Sequence, residues 1–206
     1  MRHVKILIFS LLLLAQNSTL FAQDDDHPAR AYVRPTYKVY KSLSAALQNP
    51  DSVYILELKG KNLKEIPEGV FKLPKLVVLD LSRNKIKVLP ESISQLSSLI
   101  EFDLSNNKLK TLPASIGQLT NLRKLALNRN VIEELPVEIG MLKLLEYIEL
   151  WDNELGTLPE EIKELHNLRS LDLRGILFSE EQHQHFFELL PKTEIYMSPS
   201  CNCKTF

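Results

Sequence analysis

Histidine and cysteine are the first residues to consider for chemistry. His183 and His185 stand two residues apart beside Glu181, and Cys201 and Cys203 are the only cysteines. Residues two apart on a helix point to different faces, so we expect the histidines to be structural rather than metal ligands. A Cys-x-Cys pair supplies two ligands, no second pair completes a tetrahedral zinc site, and a disulfide across one residue is strained. The sequence therefore predicts no metal and no cofactor.

Motifs for catalysis are also missing from the sequence. It contains no Gly-x-Ser-x-Gly and no His-Glu-x-x-His, and six glycines in 206 residues leave little scope for a phosphate-binding loop. His166 is the only histidine within the repeated region described below, and no nucleophile accompanies it. We therefore expect a protein that is not an enzyme.

Charged and aromatic residues instead recur at intervals of 23. One series is mostly acidic, and two more flank it along the chain. The series are Glu57, Asp80, Asp103, Ala126, Glu149 and Asp172; Lys59, Ser82, Ser105, Asn128, Trp151 and Arg174; and Ile55, Val78, Glu101, Lys124, Tyr147 and Ser170. The acidic series could recognise a basic partner, or it could be an ordinary solvated surface, which is the more frequent case. A metal-binding ladder is less favoured, because parallel side chains do not converge on one point.

Trp151 is the only tryptophan, and the pattern predicts that it is exposed beside Tyr147, Lys124 and Arg129. Exposed aromatics near arginine are common anchors of protein interfaces, although Trp151 could also lean over its neighbours as local packing. The candidate residues for binding a protein are Asp80, Arg83, Asp103, Lys124, Asn128, Arg129, Tyr147, Glu149, Trp151 and Asp172.

The spacing of prolines shows what positions these residues. Prolines recur every 23 residues and divide the chain into five full units from residue 53 to residue 167, with a partial sixth unit from residue 168; they are Pro67, Pro90, Pro113, Pro136 and Pro159. Seven places in each unit are apolar, and all 35 such places are Leu, Ile, Val or Phe. The chain is therefore an internal repeat.

The spacing of leucines within a unit predicts its structure. In Leu-x-x-Leu-x-Leu the last two leucines are two apart, so they point to one side of an extended segment. The later apolar places are three or four apart, as in a helical or loosely turned return. Because one such unit cannot bury its own apolar face, neighbours must stack. We expect an α/β, right-handed solenoid whose concave side is a parallel sheet.

Asparagine marks the turn after four of the predicted strands, and Lys61 and Ile176 take its place at the two edges of the array. The asparagine recurs at Asn84, Asn107, Asn130 and Asn153, where its side chain can satisfy backbone groups that the turn buries. The prolines follow the strand side, where their fixed φ and missing N–H are tolerated.

These residues resemble the leucine-rich-repeat family, in its 23-residue class with Leu-Pro after the asparagine turn. The resemblance covers residues 53 to about 178. Ras-group scaffold proteins and many bacterial exported proteins share this class. The resemblance implies the solenoid fold and a protein-binding function, without naming the partner.

The ends of the repeats carry signals for helical caps. Residues 42–52 read as a short N-terminal helix capped by Ser42, with Leu43, Ala46 and Leu47 on its inner face. Residues 179–197 read as a C-terminal cap that begins with a capping box at Ser179. Its inner residues are Phe186, Leu189 and Leu190, and a last strand follows near residues 193–197. Residues 23–41 are expected to be an exposed lead-in, residues 53–178 the repeats, and residues 198–206 a flexible tail.

The first 22 residues have the composition of a secretory signal peptide. Arg2 and Lys5 precede an apolar run from Ile6 to Ala15 that is too short to span a bilayer. Without them, 23 basic residues face 26 acidic ones, a net charge of −3 that gives no reason to expect nucleic acid as a partner. No Asn-x-Ser/Thr site follows residue 22, which with the repeat class favours a bacterial periplasmic or secreted protein.

The sequence thus predicts an exported, non-enzymatic module that binds a protein or peptide on its concave face, with no membrane contact once the signal peptide is removed. The alternative is an intracellular signalling scaffold of the Ras-group type, which requires the apolar N-terminus not to work as a signal. A third possibility is a structural spacer without a specific ligand.

Overall fold

The leucine pattern produces one parallel sheet in the computed structural model, which describes residues 37–200. The predicted signal peptide at residues 1–22, most of the predicted lead-in, and Cys201 and Cys203 lie outside the described residues. Eight strands lie side by side in chain order, each parallel to the next. They are β1 (Val39–Tyr40), β2 (Ile55–Glu57), β3 (Val78–Asp80), β4 (Glu101–Asp103), β5 (Lys124–Ala126), β6 (Tyr147–Glu149), β7 (Ser170–Leu173) and β8 (Glu194–Met197).

The register of the sheet follows the repeat. Val78 of β3 lies beside Glu101 of β4, and Lys124 of β5 lies beside Tyr147 of β6. Each of these pairs is 23 residues apart, so residues that share a place in the repeat form a straight row across the sheet. The leucine-rich-repeat solenoid expected from the sequence is therefore confirmed.

The return segments are short 3-10 helices, each beginning directly after a repeat proline. These prolines have φ between −76° and −62° and extended ψ, as proline requires. The helices span Glu68–Lys72, Glu91–Gln95, Ala114–Gln118, Val137–Met141 and Glu160–Glu164.

A single apolar core fills the space between the sheet and the returns. Of the 35 apolar places in the five full units, 34 are buried. Leu63, in the first unit, is half-buried and packs against this core. Since every unit sends its leucines to the same interior, each repeat is stabilised by its neighbours on either side.

An asparagine fixes the turn that follows each of β3 to β6, whereas Lys61 and Ile176 take its place after β2 and β7. The Asn130 side chain is buried, and its Nδ2 donates hydrogen bonds to the carbonyl oxygens of Leu104 at 3.1 Å and Leu127 at 2.7 Å. Its Oδ1 accepts the N–H of Leu109 at 3.0 Å. Leu104 and Leu109 belong to the preceding repeat, so one side chain ties two repeats together. The same three bonds recur at Asn84, Asn107 and Asn153.

The first repeat is preceded by a short helix, α1 (Leu43–Ala46), whose N-terminus is capped by the Ser42 hydroxyl. Ala46 is buried and Leu43 packs against the core, while Leu47, although 36% exposed, has its Cδ1 beside Gly69 of the first return helix. The predicted lead-in also ends earlier than residue 41, since β1 adds to the sheet edge and buries Tyr40.

The last repeat is followed by a longer helix, α2 (Glu180–Leu189). Its capping box is present: Ser179 Oγ accepts the N–H of Gln182, and the Gln182 side chain accepts the N–H of Ser179. Phe186 and Leu190 are buried, with the Phe186 ring at right angles to that of Phe178, 5.0 Å between centroids. Helices thus stand at both ends of the repeats, and their function as caps stays a prediction. Within residues 37–200 there is no helix with the length and hydropathy needed to span a bilayer.

The asparagine bonds lead to a stability prediction. Replacing Asn130 with Ala leaves two carbonyls and one N–H of the turn without their partner, and each unmet buried group costs about 1–3 kcal/mol. We expect Asn130→Ala to lower the free energy of unfolding by about 3 kcal/mol in urea titrations followed by circular dichroism. Asn121→Ala is the control, because its exposed amide makes one bond, to Ser97 O, and should cost less than about 1 kcal/mol. Equal losses in the two variants would contradict the assignment.

The close packing of the return helices leads to a second prediction. A Cβ on Gly140 would lie 2.5 Å from the backbone oxygen of Glu161, in the next repeat. We expect Gly140→Ala to destabilise the protein by about 1–3 kcal/mol, because the two return helices would have to separate. Gly156→Ala, where a Cβ meets nothing within 4 Å, should be neutral or slightly stabilising in the same thermal unfolding measurement. A Gly140→Ala protein as stable as the wild type would show that the returns can shift freely.

Candidate functional site

The side chains that point away from the core form what we call the sheet face. It comprises the outward residues of β2 to β7 and, in each repeat, the two residues that follow the second buried strand leucine, such as Ser82 and Arg83 after Leu81. The ten residues predicted to bind a partner all belong to it. The structure brings Asp80, Arg83 and Asp103 together on β3–β4, places six more on β5–β6, and leaves Asp172 on β7.

The acidic row of the sheet face closes turns. Asp80 Oδ1 accepts the N–H of Ser82, two residues further along, at 2.8 Å. The same bond recurs on two other strands, with Asp103 accepting from Ser105 at 2.8 Å and Asp172 from Arg174 at 3.1 Å. Part of the acidic pattern is therefore structural, since these carboxylates stabilise the end of the strand.

The charges of this row are balanced on β6 and β7. Glu149 Oε1 lies 2.7 Å from Lys124 Nζ, with both side chains largely buried. Asp172 accepts two hydrogen bonds from the Arg174 guanidinium, at 2.9 and 2.6 Å, and these raise the pKa of Arg174. Asp80 and Asp103, by contrast, make no ion pair within residues 37–200.

Asp103 is a carboxylate of the sheet face whose pKa departs from its ordinary value. Burial raises the pKa of its carboxyl above the ordinary value, and repulsion from Asp80 and Glu149 acts in the same direction. Hydrogen bonds from Ser105 oppose the shift without cancelling it. Keeping the Asp103 carboxyl ionised in the folded protein therefore costs free energy.

Trp151 is half-buried rather than exposed. The Arg129 guanidinium lies over its ring at 4.7 Å from the centroid, and Arg129 Nε is 3.8 Å from Asp152 Oδ2. The sequence allows two interpretations of Trp151: local packing over its neighbours, or an exposed anchor for a binding partner. The structure shows that it contacts Arg129 and keeps part of its ring accessible.

Three of the predicted residues are buried by their neighbours on the sheet face. Tyr147 is 7% exposed, Asn128 8% and Asp172 6%. Rows of side chains only about 4.8 Å apart cover one another, which alternation along a strand does not reveal. Glu101 was missed as a site residue, although its row was recognised; it is also buried and lies in register with Lys124.

The residue before each turn asparagine has a left-handed backbone, and so has Gly175 at the equivalent place before Ile176. Its φ is between 56° and 61° where it carries a side chain and 80° at Gly175; the residues are Arg83, Asn106, Arg129, Asp152 and Gly175. Glycine, asparagine and aspartate adopt this conformation readily, whereas for arginine it costs about 1 kcal/mol or more. The sequence pattern places Arg83 and Arg129 on this surface but does not predict their left-handed backbone, although Gly60, Asn106 and Gly175 at the same place in the repeat are a signal for it.

The histidines of α2 are not part of the sheet face. His185 Nε2 lies 2.7 Å from Glu160 Oε1, in the preceding return helix. Within the described part of the chain, no group of three or more His, Cys, Asp or Glu is arranged to hold a metal ion.

Several solved structures share this architecture. A leucine-rich-repeat protein of Leptospira interrogans matches with 42% sequence identity and a TM-score of 0.62, over 70% of this chain and 36% of that one. An internalin of Listeria monocytogenes matches with 21% identity and a TM-score of 0.64, over 75% and 44%, and at that identity it indicates the fold alone. The plant peptide hormone receptor RGFR1, in complex with RGF2, matches with 32% identity and a TM-score of 0.52, over 62% and 21%.

This chain therefore spans about a third of the length of the Leptospira protein and about a fifth of the plant receptor. No curated protein sequence matches it significantly. The particular 23-residue class with Leu-Pro stays a prediction.

The leucine-rich-repeat family model matches residues 51–109, 90–132 and 120–175, and together these segments cover more than half of the 206 residues. With its parallel sheet, its rows of leucine and its asparagine turns, the chain belongs to the leucine-rich-repeat family.

Proposed function

We propose that this protein is a non-enzymatic module that binds a peptide or protein segment on the sheet face, centred on β5 and β6. The observation that carries the proposal is Arg129, a left-handed arginine lying over the only tryptophan of the chain. Leucine-rich-repeat proteins are in general protein-interaction modules, which agrees with this assignment.

The backbone of Arg129 supports a functional reading. Turns of the same kind are made by Gly60 and Gly175 in other repeats, so the fold does not need arginine there. A residue kept in a costly conformation is a sign of selection for its side chain. Arg83 is a second arginine at the same place in the repeat, and it is exposed.

The surroundings of Trp151 suit a binding anchor. Arginine and tryptophan are enriched among the residues that contribute most to interfaces. Tyr147 and the Lys124–Glu149 ion pair lie on the same two strands and are packed against neighbouring rows. These side chains lose little conformational entropy on binding, because the sheet already fixes them.

The plant receptor among the similar structures was solved in complex with RGF2. Its likeness to this chain is consistent with a peptide ligand but does not identify one. The proposal therefore specifies the face and the class of partner.

Export is the second part of the proposal. It is supported by Arg2 and Lys5 ahead of the apolar run at residues 6–15 and by the small and polar residues that follow the run. A protein so exported would meet its partner outside the cytoplasm.

Panning a random dodecapeptide phage library on the wild-type protein tests the binding face. We expect selected peptides to bind Trp151→Ala at least about tenfold more weakly, since truncating an aromatic anchor costs about 2 kcal/mol or more. Arg129→Gly should also weaken binding while raising the free energy of unfolding by about 1 kcal/mol, because it relieves the left-handed backbone.

Met141→Ala is the control for this test, since Met141 is exposed on a return helix, away from the sheet face. Affinities would be measured by biolayer interferometry. Peptides that lose affinity for Met141→Ala and keep it for Trp151→Ala would move the site to the returns. A failure to select any peptide would leave the structural-spacer interpretation.

A fusion of residues 1–30 to alkaline phosphatase tests export. We expect phosphatase activity, which requires passage out of the cytoplasm, and its loss when Leu12 and Leu13 are both replaced by Arg, because charge in the apolar run blocks signal function. Retention of the unmodified fusion in the cytoplasm would instead favour the intracellular scaffold.

A further inference from the structure

The acidic row is electrically uneven, and this unevenness points to the chemistry of the partner. Its carboxylates on β6 and β7 are neutralised within the chain, by Lys124 and Arg174. Those on β3 and β4, Asp80 and Asp103, are neighbours in register and have no cation of their own. Adjacent strands are about 4.8 Å apart, so the two negative charges repel each other.

Each of these two aspartates uses one oxygen to close its turn, and Asp103 also accepts a hydrogen bond from the Ser105 side chain. Oδ1 of Asp80 accepts the N–H of Ser82, and Oδ1 of Asp103 that of Ser105. The next residue of the row is Ala126, whose methyl group adds neither charge nor a hydrogen-bonding group beside Asp103. The base nearest along that strand, Lys124, is held by Glu149.

Two buried acceptors flank the aspartate pair without a hydrogen-bond partner. Ser82 is 2% exposed, and its Oγ has none. Asn128, more than nine-tenths buried, has an unpartnered Oδ1. Ser82 is two residues after Asp80, and Asn128 is two residues after Ala126, so both belong to the same face as the carboxylates. Across β3 to β5, a width of about 10 Å, the sheet face therefore offers acceptors and negative charge.

We propose that Asp80 and Asp103, with Ser82 and Asn128 beside them, receive a lysine or arginine side chain of the bound peptide segment. The inference rests on the proposed function of the sheet face and specifies what the partner must present there. Lysine brings three N–H donors and arginine five, and neither brings an acceptor, which matches a site made of acceptors. A cation also removes the repulsion between the carboxylates.

The arrangement fixes the order of groups along the partner. The basic side chain lies over β3–β4, and the segment that contacts Trp151 and Arg129 lies over β5–β6, two strand spacings away from centre to centre. That separation is about 10 Å, within the reach of residues close together in one extended peptide.

The dodecapeptides selected on the wild-type protein in the presence of EDTA test this inference. We expect them to be enriched in Lys or Arg and to bind the Asp80→Asn, Asp103→Asn double variant about tenfold more weakly or worse, as for the loss of a charged hydrogen bond. Asparagine retains an oxygen that can accept the turn N–H, so the fold is kept.

The matched control is Glu65→Gln with Glu134→Gln, which removes the same net charge. These two glutamates are exposed and occupy one place in their repeats, between the asparagine turn and the return. Peptide affinity for this variant should stay within about twofold of the wild type, which separates a local site from attraction by overall charge.

The stability of Asp103→Asn provides a second measurement. Because the pKa of Asp103 is raised in the folded protein, its ionisation disfavours folding above the ordinary value of 3.8. Asp103→Asn should therefore have a higher free energy of unfolding than the wild type at neutral pH. The gain should shrink as the pH falls towards 3.8 and the carboxyl becomes protonated in both states.

The outcomes separate the two proposals. Peptides that lack basic residues, or that bind the double aspartate variant as tightly as the wild type, would overturn the inference and leave the binding face in place. A loss of stability in Asp103→Asn at neutral pH would also overturn it, by showing that the fold already compensates the charge. Failure to select any peptide would overturn the binding function as well.

Discussion

The structure depends on the hydrogen bonds of the asparagines in the turns that follow β3 to β6. A chain that leaves a strand and turns over an apolar core buries backbone groups that have no strand partner, and such groups are costly unless they are paired. Asn130 and its equivalents pair them, and they do so with groups of the preceding repeat as well as their own. The turn of one repeat therefore makes all its hydrogen bonds only when the preceding repeat is folded beside it. This coupling supports the 23-residue register of the sheet from β2 to β6.

The register makes the sheet face a surface on which chemistry is arranged by row. Buried leucines fix the strands from behind, so an outward residue can change without disturbing the core. The rows then acquire local differences: aromatic and cationic groups on β5–β6, uncompensated carboxylates on β3–β4, and an aspartate–arginine pair on β7. A partner that extends across several strands meets these differences in a fixed order, which is a physical basis for specificity.

The charges on this face have two different roles. Asp80, Asp103 and Asp172 all accept a backbone N–H at the end of a strand, so an acid at that place is useful to the fold whether or not it binds anything. Only the absence of a neighbouring cation distinguishes Asp103 from Asp172, and burial makes that absence expensive. The left-handed arginines can be divided in the same way. The turn requires their backbone conformation, but it does not require their guanidinium groups.

The sequence by itself determined the repeat, the parallel sheet, the burial of its leucines and the function of the turn asparagines. Such features follow from spacing, because residues two apart on a strand share a face and residues 23 apart share a row. It also identified the outward rows that contain all ten candidate residues, and the capping box at Ser179. What only the tertiary structure decided is how the outward side chains pair: that Lys124 bonds to Glu149, that Arg129 covers Trp151, and that Tyr147 and Asn128 are buried. Long side chains choose among several rotamers according to the neighbours that stacking brings within a few ångströms, and no spacing along the chain specifies that choice.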